Sequence, residues 1–172
     1  MFKRHKVIII SSLTVVVVVA IDLITKYIVD LKMVPYQTIT VIPNFFNLVY
    51  AKNLGAAFSF LNGTPDWFRK PFFFIIPILA MILVGTLLNR SKKELLKVVA
   101  FSLVIGGAMG NFLNRLEYGY VIDFLDFKLA PNYHWPSFNA ADIAITIAVA
   151  MLFIDAIKIE NRKRREKKAK SR

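Results

Sequence analysis

Two aspartates, Asp123 and Asp142, are the residues of this chain whose type and placement best suit catalytic chemistry. Each lies close to a long apolar run, where a charged side chain is costly and usually has a function. They are nineteen positions apart, so no single helix face can present both. They meet only if the chain returns, as a loop between two spanning helices would make it do. Two carboxyls brought together cannot easily both ionise, so one of them keeps a proton.

Such a pair could hydrolyse a peptide bond. The ionised carboxylate takes a proton from water as the water attacks the carbonyl carbon, and the protonated carboxyl stabilises the developing oxyanion. The pair titrates as a unit, so the sequence assigns the acid or base role to neither member.

Each aspartate also has a structural interpretation. Asn139 and Asp142 have the spacing of a capping box, in which Asp142 would stabilise the start of a helix. Asp123, like Asp126, could be a solvated loop residue. A functional interpretation is favoured by further polar residues at the same ends of the apolar segments or in the adjoining loops, namely Asn53, Asn111 and Arg115.

Four apolar segments must position these residues. The chain is 56% hydrophobic, has a mean hydropathy of +0.54 and carries a net charge of +12, with apolar and charged residues in separate blocks. Each apolar segment approaches the roughly 20 residues that a spanning helix needs, and they cover residues 7–29, 71–88, 95–113 and 140–157. We therefore predict an all-α polytopic membrane protein with a membrane domain over residues 1–157 and a basic tail over residues 158–172.

Lysine and arginine predict the orientation, because cytoplasmic loops retain them. Sixteen lie on the side of the two termini and six on the side of the two long loops, 30–70 and 114–139. We expect both termini in the cytoplasm and Asp123 and Asp142 facing outward. The tail holds nine basic and two acidic residues. A basic run next to a span favours contact with anionic lipid over nucleic acid.

The outer loop 30–70 has the composition of a small antiparallel sheet. Its β-branched and aromatic segments, Thr38–Ile42 and residues 45–50, are separated by the turn signal Pro43-Asn44. Four aromatic residues of this loop are expected in the interfacial belt of the membrane: Phe45, Phe46, Tyr50 and Trp67.

Two spacings concern the spanning helices themselves. Asp22 and Lys26 are one helical turn apart, so they can pair along one face, either as a neutralised pair with Lys26 reaching the interface or in contact with other spans. The first apolar run is too long for the apolar region of a cleavable signal peptide, and it contains Asp22 and Lys26 in place of a small-residue cleavage site, so we expect it to be retained as a span. Gly106 and Gly110 have the small-xxx-small spacing that allows close helix approach, or leave space beside a substrate.

The residue types present in the chain limit the kinds of catalytic site that it could contain. The chain has no cysteine, and only His5 and His134 could supply imidazole, so a zinc peptidase is not expected. Ser59 or Ser137 with a lysine base is a weaker enzymatic alternative. A small ion-coupled transporter is the alternative from another class, although its ionisable groups should lie nearer the bilayer midplane.

Five motifs in order give the sequence a resemblance to the lipoprotein signal peptidases, the bacterial signal peptidase II family of membrane aspartic peptidases. They are Asp22-x-x-Thr25-Lys26, Asn53-x-Gly55-Ala56-Ala57-Phe58, Gly106-Gly107-Ala108-x-Gly110-Asn111-x-x-Asn114-Arg115, Val121-x-Asp123-Phe124 and Phe138-Asn139-x-Ala141-Asp142. The resemblance covers nearly the whole chain except the tail. Asn114 departs from the family pattern, in which aspartate is more usual.

The resemblance implies a fold, a reaction and a set of site residues. The fold is four transmembrane helices with a small outer β-sheet, and the reaction is removal of the signal peptide of a prolipoprotein before a diacylglyceryl-modified cysteine, with no metal or organic cofactor. Asp123 and Asp142 correspond to the catalytic dyad. The positions that line or support the substrate site are Asn53, Gly55, Asn111, Arg115 and Asn139, with Asp22 and Lys26 as a polar pair of the first span.

Overall fold

The computed structural model describes residues 4–54, 65–92, 94–131 and 133–170. Long helices account for most of them: α1 Arg4–Lys32, α2 Asp66–Arg90, α3 Leu95–Tyr118 and α4 Ala140–Lys170. Within the described residues, four helices are long and apolar enough to cross a membrane. This confirms the four predicted spans, although every helix extends beyond its predicted apolar segment.

The helix α1 shows that the lipid environment can determine secondary structure against local propensity. It contains the run Val15-Val16-Val17-Val18-Val19, whose β-branched side chains disfavour helix in water. In hydrocarbon every backbone N–H and C=O must be satisfied within the segment, and a helix does this without a partner. Burial in lipid therefore overrides the local propensity.

A four-stranded antiparallel sheet is formed by the two connections that join α1 to α2 and α3 to α4. Its strands are β1 Thr38–Ile42, β2 Phe46–Asn53, β3 Val121–Ala130 and β4 Tyr133–His134, in the order β1-β2-β3-β4. The predicted hairpin in the loop 30–70 is confirmed, including the turn, where Asn44 has a φ of 60°. The predicted connection over residues 114–139 contains secondary structure that the sequence analysis did not specify: α3 continues to Tyr118 and the chain then forms β3, which joins the sheet.

The join between α3 and β3 fixes where Asp123 lies. Gly119 ends α3 in the left-handed conformation, with φ of 76°, and its N–H donates to the carbonyl oxygen of Arg115 at 2.9 Å. Asn114 is buried, and its Oδ1 accepts the N–H of Ile122 at 2.7 Å. The neutral Asn114 therefore anchors the start of β3, just before Asp123 is reached.

A small apolar core attaches the sheet to α1. It consists of Val29, Met33, Tyr50, Ile122 and Phe124. Tyr50 was expected in the exposed aromatic belt, but it is only 2% exposed, because its hydroxyl donates to Asp30 on α1 at 2.5 Å. That expectation was wrong for Tyr50, whereas Phe45 and Trp67 are exposed as predicted.

The helix α3 contacts α1, α2 and α4. Gly106 and Gly110 make the approach to α1 possible: a Cβ at Gly106 would lie 2.9 Å from Val18 Cβ, and one at Gly110 would lie 2.5 Å from an oxygen of Asp22. The spacing therefore serves close packing, and at Gly110 it also makes room for a buried carboxylate.

The basic tail has no break from the membrane domain in the structure. The helix α4 runs through it to Lys170 and pairs two arginines with glutamates one turn away, Arg162 with Glu166 and Arg164 with Glu160, each at 2.9 Å. The division at residue 157 therefore marks a change of composition within one helix.

Candidate active site

Asp123 lies on β3 with its carboxylate almost completely enclosed. Its exposure is 2%, so the interpretation as a solvated loop residue was wrong. Two side-chain amides donate to it: Asn53 Nδ2 on β2 at 2.8 Å and Asn139 Nδ2 at 2.6 Å. Each carboxylate oxygen therefore accepts one hydrogen bond from a neutral donor.

Asp142 lies in the first turn of α4, where it forms the predicted capping box. Asp142 Oδ2 accepts the N–H of Asn139 at 3.1 Å, and Asn139 Oδ1 accepts the N–H of Asp142 at 3.1 Å. The other carboxylate oxygen of Asp142 accepts Asn111 Nδ2 at 2.9 Å. Asp142 therefore caps its helix and still contributes a half-buried carboxylate to the site.

Two asparagines connect the carboxylates. Asn139 Nδ2 donates to both Asp123 and Asn111 Oδ1, the latter at 3.1 Å, while Asn111 donates to Asp142. The amide orientations are fixed by these partners, because the oxygen of Asn139 already accepts the N–H of Asp142. The chain thus returns as predicted and brings the two aspartates into one hydrogen-bond network.

Asp22 and Lys26 extend this network into the helix bundle. Lys26 is 1% exposed and donates to Asp22 Oδ2 at 2.7 Å and to Asn111 Oδ1 at 2.8 Å. The second oxygen of Asp22 accepts the N–H of Ala141 at 3.0 Å. The alternative in which Lys26 reaches the interface is wrong, and the pair joins α1 to α3 and α4.

Arg115 lies near the end of α3 beside the two carboxylates. Its guanidinium is 5.0 Å from the ring centroid of Phe73 on α2, a cation–π distance. A half-buried cation that lines the cavity can compensate negative charge on the aspartates or on a bound oxyanion.

Burial raises the pKa of Asp123 to about 6; the hydrogen bond from Asn53 opposes this rise, and the charge of Asp142 adds to it. A carboxyl with such a pKa exchanges its proton near neutral pH, which a general acid or base requires.

Asp123 and Asp142 open on a cavity of about 580 Å³. Asn53, Asn111, Arg115 and Asn139 also line it, so the structure brings together the predicted site residues except Asp22 and Lys26, which lie behind Asn111, and Gly55, which falls outside the described residues. One side of the cavity is apolar, formed by Ile143 and Ile147 on α4.

Sequence reasoning missed one wall of the cavity. This wall segment, residues 135–138, connects β4 to α4 and consists of Trp135, Pro136, Ser137 and Phe138. Its sequence signals were Phe138, which belongs to the motif Phe138-Asn139-x-Ala141-Asp142, and its position directly before Asn139. The lysine that a Ser137 nucleophile would need is not offered by Lys26, which donates to Asp22 and Asn111.

Four apolar helices, a small sheet at one end and a cavity with two aspartates define a polytopic membrane protein with a hydrolase-like site. The model of the signal peptidase II family matches residues 14–158, so the chain belongs to that family.

Relatives and solved structures agree with this assignment. The chain is 44% identical to the lipoprotein signal peptidase of Alteromonas mediterranea over 88% of this chain and 82% of the relative. It is 39% identical to the lipoprotein signal peptidase of Geobacter metallireducens over 91% and 96%, respectively. A bacterial membrane enzyme solved by the in meso method at 2.3 Å resolution has 36% identity and a TM-score of 0.78, over 89% of this chain and 90% of that structure. The protein is a multi-pass bacterial membrane protein, and the transporter alternative finds no support.

Proposed function

We propose that this protein cleaves the signal peptides of bacterial prolipoproteins by an aspartic mechanism, with Asp123 and Asp142 as its dyad. One observation carries the proposal: the two carboxylates share a network of asparagines and open on one cavity, in a chain that belongs to the signal peptidase II family.

The mechanism follows from the ionisation of the pair. A water molecule between the carboxyls loses a proton to the ionised carboxylate as its oxygen bonds to the scissile carbonyl carbon. The protonated carboxyl donates to the oxyanion that forms, and Arg115 adds a positive charge nearby. Collapse of the tetrahedral intermediate breaks the C–N bond, and the leaving amine takes back a proton from the dyad.

The supporting residues fix the orientation of the two carboxyl groups. Asn53 and Asn139 orient Asp123, while Asn111 orients Asp142. Lys26, which is paired with Asp22, fixes the orientation of the Asn111 side chain. Because Asn111 Oδ1 accepts a hydrogen bond from the ammonium of Lys26, Asn111 Nδ2 faces Asp142. Gly55 is assigned to the substrate side of the site by the sequence motif alone.

The substrate is proposed to be a prolipoprotein whose cysteine already bears a diacylglyceryl group. The apolar side of the cavity supports this, since Ile143 and Ile147 line it and are also 39% and 49% exposed on the outer surface of α4. The acyl chains can therefore remain in membrane lipid while the peptide bond reaches the dyad.

The proposed orientation places both termini in the cytoplasm and the dyad at the outer face of the cytoplasmic membrane. It rests on the sixteen-to-six distribution of lysine and arginine. Reporter fusions after Pro65 and Pro131 should show the outer side, and fusions after Ser91 and at the C-terminus the cytoplasm. A C-terminus on the outer side would contradict the orientation.

The deciding experiment incubates purified protein in detergent with a diacylglyceryl-modified prolipoprotein and with the same prolipoprotein lacking the lipid. Shortened product is expected only from the modified substrate. No product from well-folded protein would refute the function, and equal cleavage of both substrates would refute the lipid requirement.

A further inference from the structure

A second buried carboxylate on β3, Asp126, has a set of partners separate from the dyad. It is 7% exposed and accepts Asn47 Nδ2 on β2 at 2.7 Å. His134 Nδ1 on β4 lies 2.8 Å and 3.0 Å from its two oxygens. We call Asn47, Asp126 and His134 the Asp126 cluster. The tautomer of His134 that carries its proton on Nδ1 can donate to the carboxylate of Asp126 at this position.

The Asp126 cluster holds a very short strand. The strand β4 has two residues, and among the described residues its pairs with β3 are Lys128 with His134 and Ala130 with Tyr133. So few backbone pairs hold a strand weakly. The hydrogen bond between His134 and Asp126 therefore supplies an attachment that the backbone does not.

The wall segment begins directly after β4. The N–H of Trp135 donates to the carbonyl oxygen of Phe127 at 2.7 Å, and at the other end Phe138 exchanges backbone hydrogen bonds with Leu125 at 2.9 and 3.1 Å. The ring of Phe138 also stacks on Phe127, with centroids 5.9 Å apart. Phe138 is therefore held on β3 by two backbone hydrogen bonds and a ring contact, whereas Trp135 is held there by a single backbone hydrogen bond next to the short strand β4.

We propose that His134 and Asp126 are positioning residues that hold the wall segment in the shape that binds substrate. The proposal rests on the proposed function for the identity of the substrate. The pair acts on binding and not on proton transfer, because Asp123 and Asp142 are held by a different set of residues, Asn53, Asn111 and Asn139.

The test compares His134→Ala with His134→Asn. Alanine removes the donor to Asp126, whereas the Nδ2 group of asparagine can occupy the place of imidazole Nδ1. His134→Ala should raise KM for the lipid-modified prolipoprotein by about tenfold, the effect of losing one hydrogen bond to a charged group, and leave kcat within about twofold. His134→Asn should restore KM to near the normal value.

Tyr133→Ala is the matched control. Tyr133 lies in the same short strand, is 54% exposed and does not belong to the Asp126 cluster. Its removal should leave KM unchanged. An equal rise of KM in Tyr133→Ala, a fall of kcat at unchanged KM in His134→Ala, or a lower melting temperature with normal kinetics would each overturn the proposal.

A readout independent of activity separates this proposal from the proposed function. Trp135 and Trp67 are the two tryptophans of the chain, so in a Trp67→Phe background the fluorescence reports on the wall segment alone. Loosening of a locally unstable segment should increase iodide quenching of Trp135 by about twofold in His134→Ala and not in His134→Asn. Unchanged quenching in His134→Ala would overturn the proposal even if the protein cleaves prolipoprotein, and increased quenching would support it even if no cleavage occurs.

Discussion

Asp123 and Asp126 are two buried carboxylates on one strand, three positions apart, and each accepts an amide from an asparagine of β2. They differ in what else they meet. Asp123 shares a hydrogen-bond network with a second carboxylate and opens on a cavity, whereas the further partner of Asp126 is the imidazole of His134. Burial and hydrogen bonding are therefore common to both carboxylates. Under the proposed function, a second acid and access for a substrate distinguish Asp123 as the reactive one.

The largest expected effect tests this difference directly. Asp123→Asn and Asp142→Asn should each lower kcat for prolipoprotein cleavage by at least about 10³, because an amide can neither accept the proton of water nor exchange one with its partner. The double variant should be scarcely slower than either single variant, since the pair acts as a unit. The measurement is product formation in detergent, beside thermal unfolding of the same samples.

Asp126→Asn is the matched substitution on the same strand. The amide introduced there can accept the amide of Asn47 and donate to the other tautomer of His134, so cleavage should remain near normal. Near-normal cleavage by Asp123→Asn or Asp142→Asn would refute the aspartic mechanism. Loss of kcat in well-folded Asp126→Asn would mean that the reactive pair includes the wrong aspartate.

The next effect concerns the buried ion pair behind the dyad. Lys26→Met leaves Asp22 buried without its cation and should destabilise the protein by about 3–5 kcal/mol. Adding Asp22→Asn removes the unpaired charge, while the oxygen of the new amide side chain can still accept the N–H of Ala141. The double variant should therefore unfold at a higher temperature than Lys26→Met. Equal unfolding temperatures would show that the pair does not act as a unit.

A smaller effect follows from the pKa of Asp123, which burial raises to about 6 from its ordinary 3.8. The folded protein binds more protons than the unfolded chain between these values. Asp123 therefore stabilises the fold most below pH 3.8, and this contribution is lost as pH rises through 6, by on the order of 1–3 kcal/mol. Asp123→Asn removes this loss, so its unfolding temperature relative to the wild type should increase from about pH 4 to about pH 7. A constant difference would contradict the raised pKa.

The smallest effect is expected at the other end of α4. Truncation after Glu160 removes exposed residues far from the dyad, so cleavage in detergent should stay within about twofold of normal. A large loss of activity in well-folded truncated protein would show that the tail contributes to the reaction.

The sequence predicted the helices because length and apolarity suffice to define a span. Most of the proposed site residues meet at one cavity, but the sequence did not predict how they contact one another. The burial of Lys26 depends on Asn111, 85 positions away, and no local pattern shows that contact. The strand β3 was not predicted, because Val121, Ile122, Asp123 and Phe124 are buried in succession and the strand therefore lacks the alternation of one with a solvated face.

Asp126 shows the same limit in a single residue. A lone aspartate in a loop-like stretch is interpreted as solvated, and only the pairing of β2 with β3 brings Asn47 opposite it. Partners from distant segments decide whether a polar residue is exposed, and those partners follow from the fold.

The length of the unbroken helix α4 can be compared with the thickness of the bilayer. Asp142 and Lys158 are sixteen positions apart in one helix, which corresponds to about 24 Å at the rise of an α-helix. The hydrocarbon layer of a typical bilayer is about 30 Å thick. If the ammonium of Lys158 is held at one headgroup layer, the carboxylate of Asp142 lies several ångströms short of the other. In the proposed orientation, hydrophobic mismatch would then keep Asp142 below the membrane surface or thin the lipid around it.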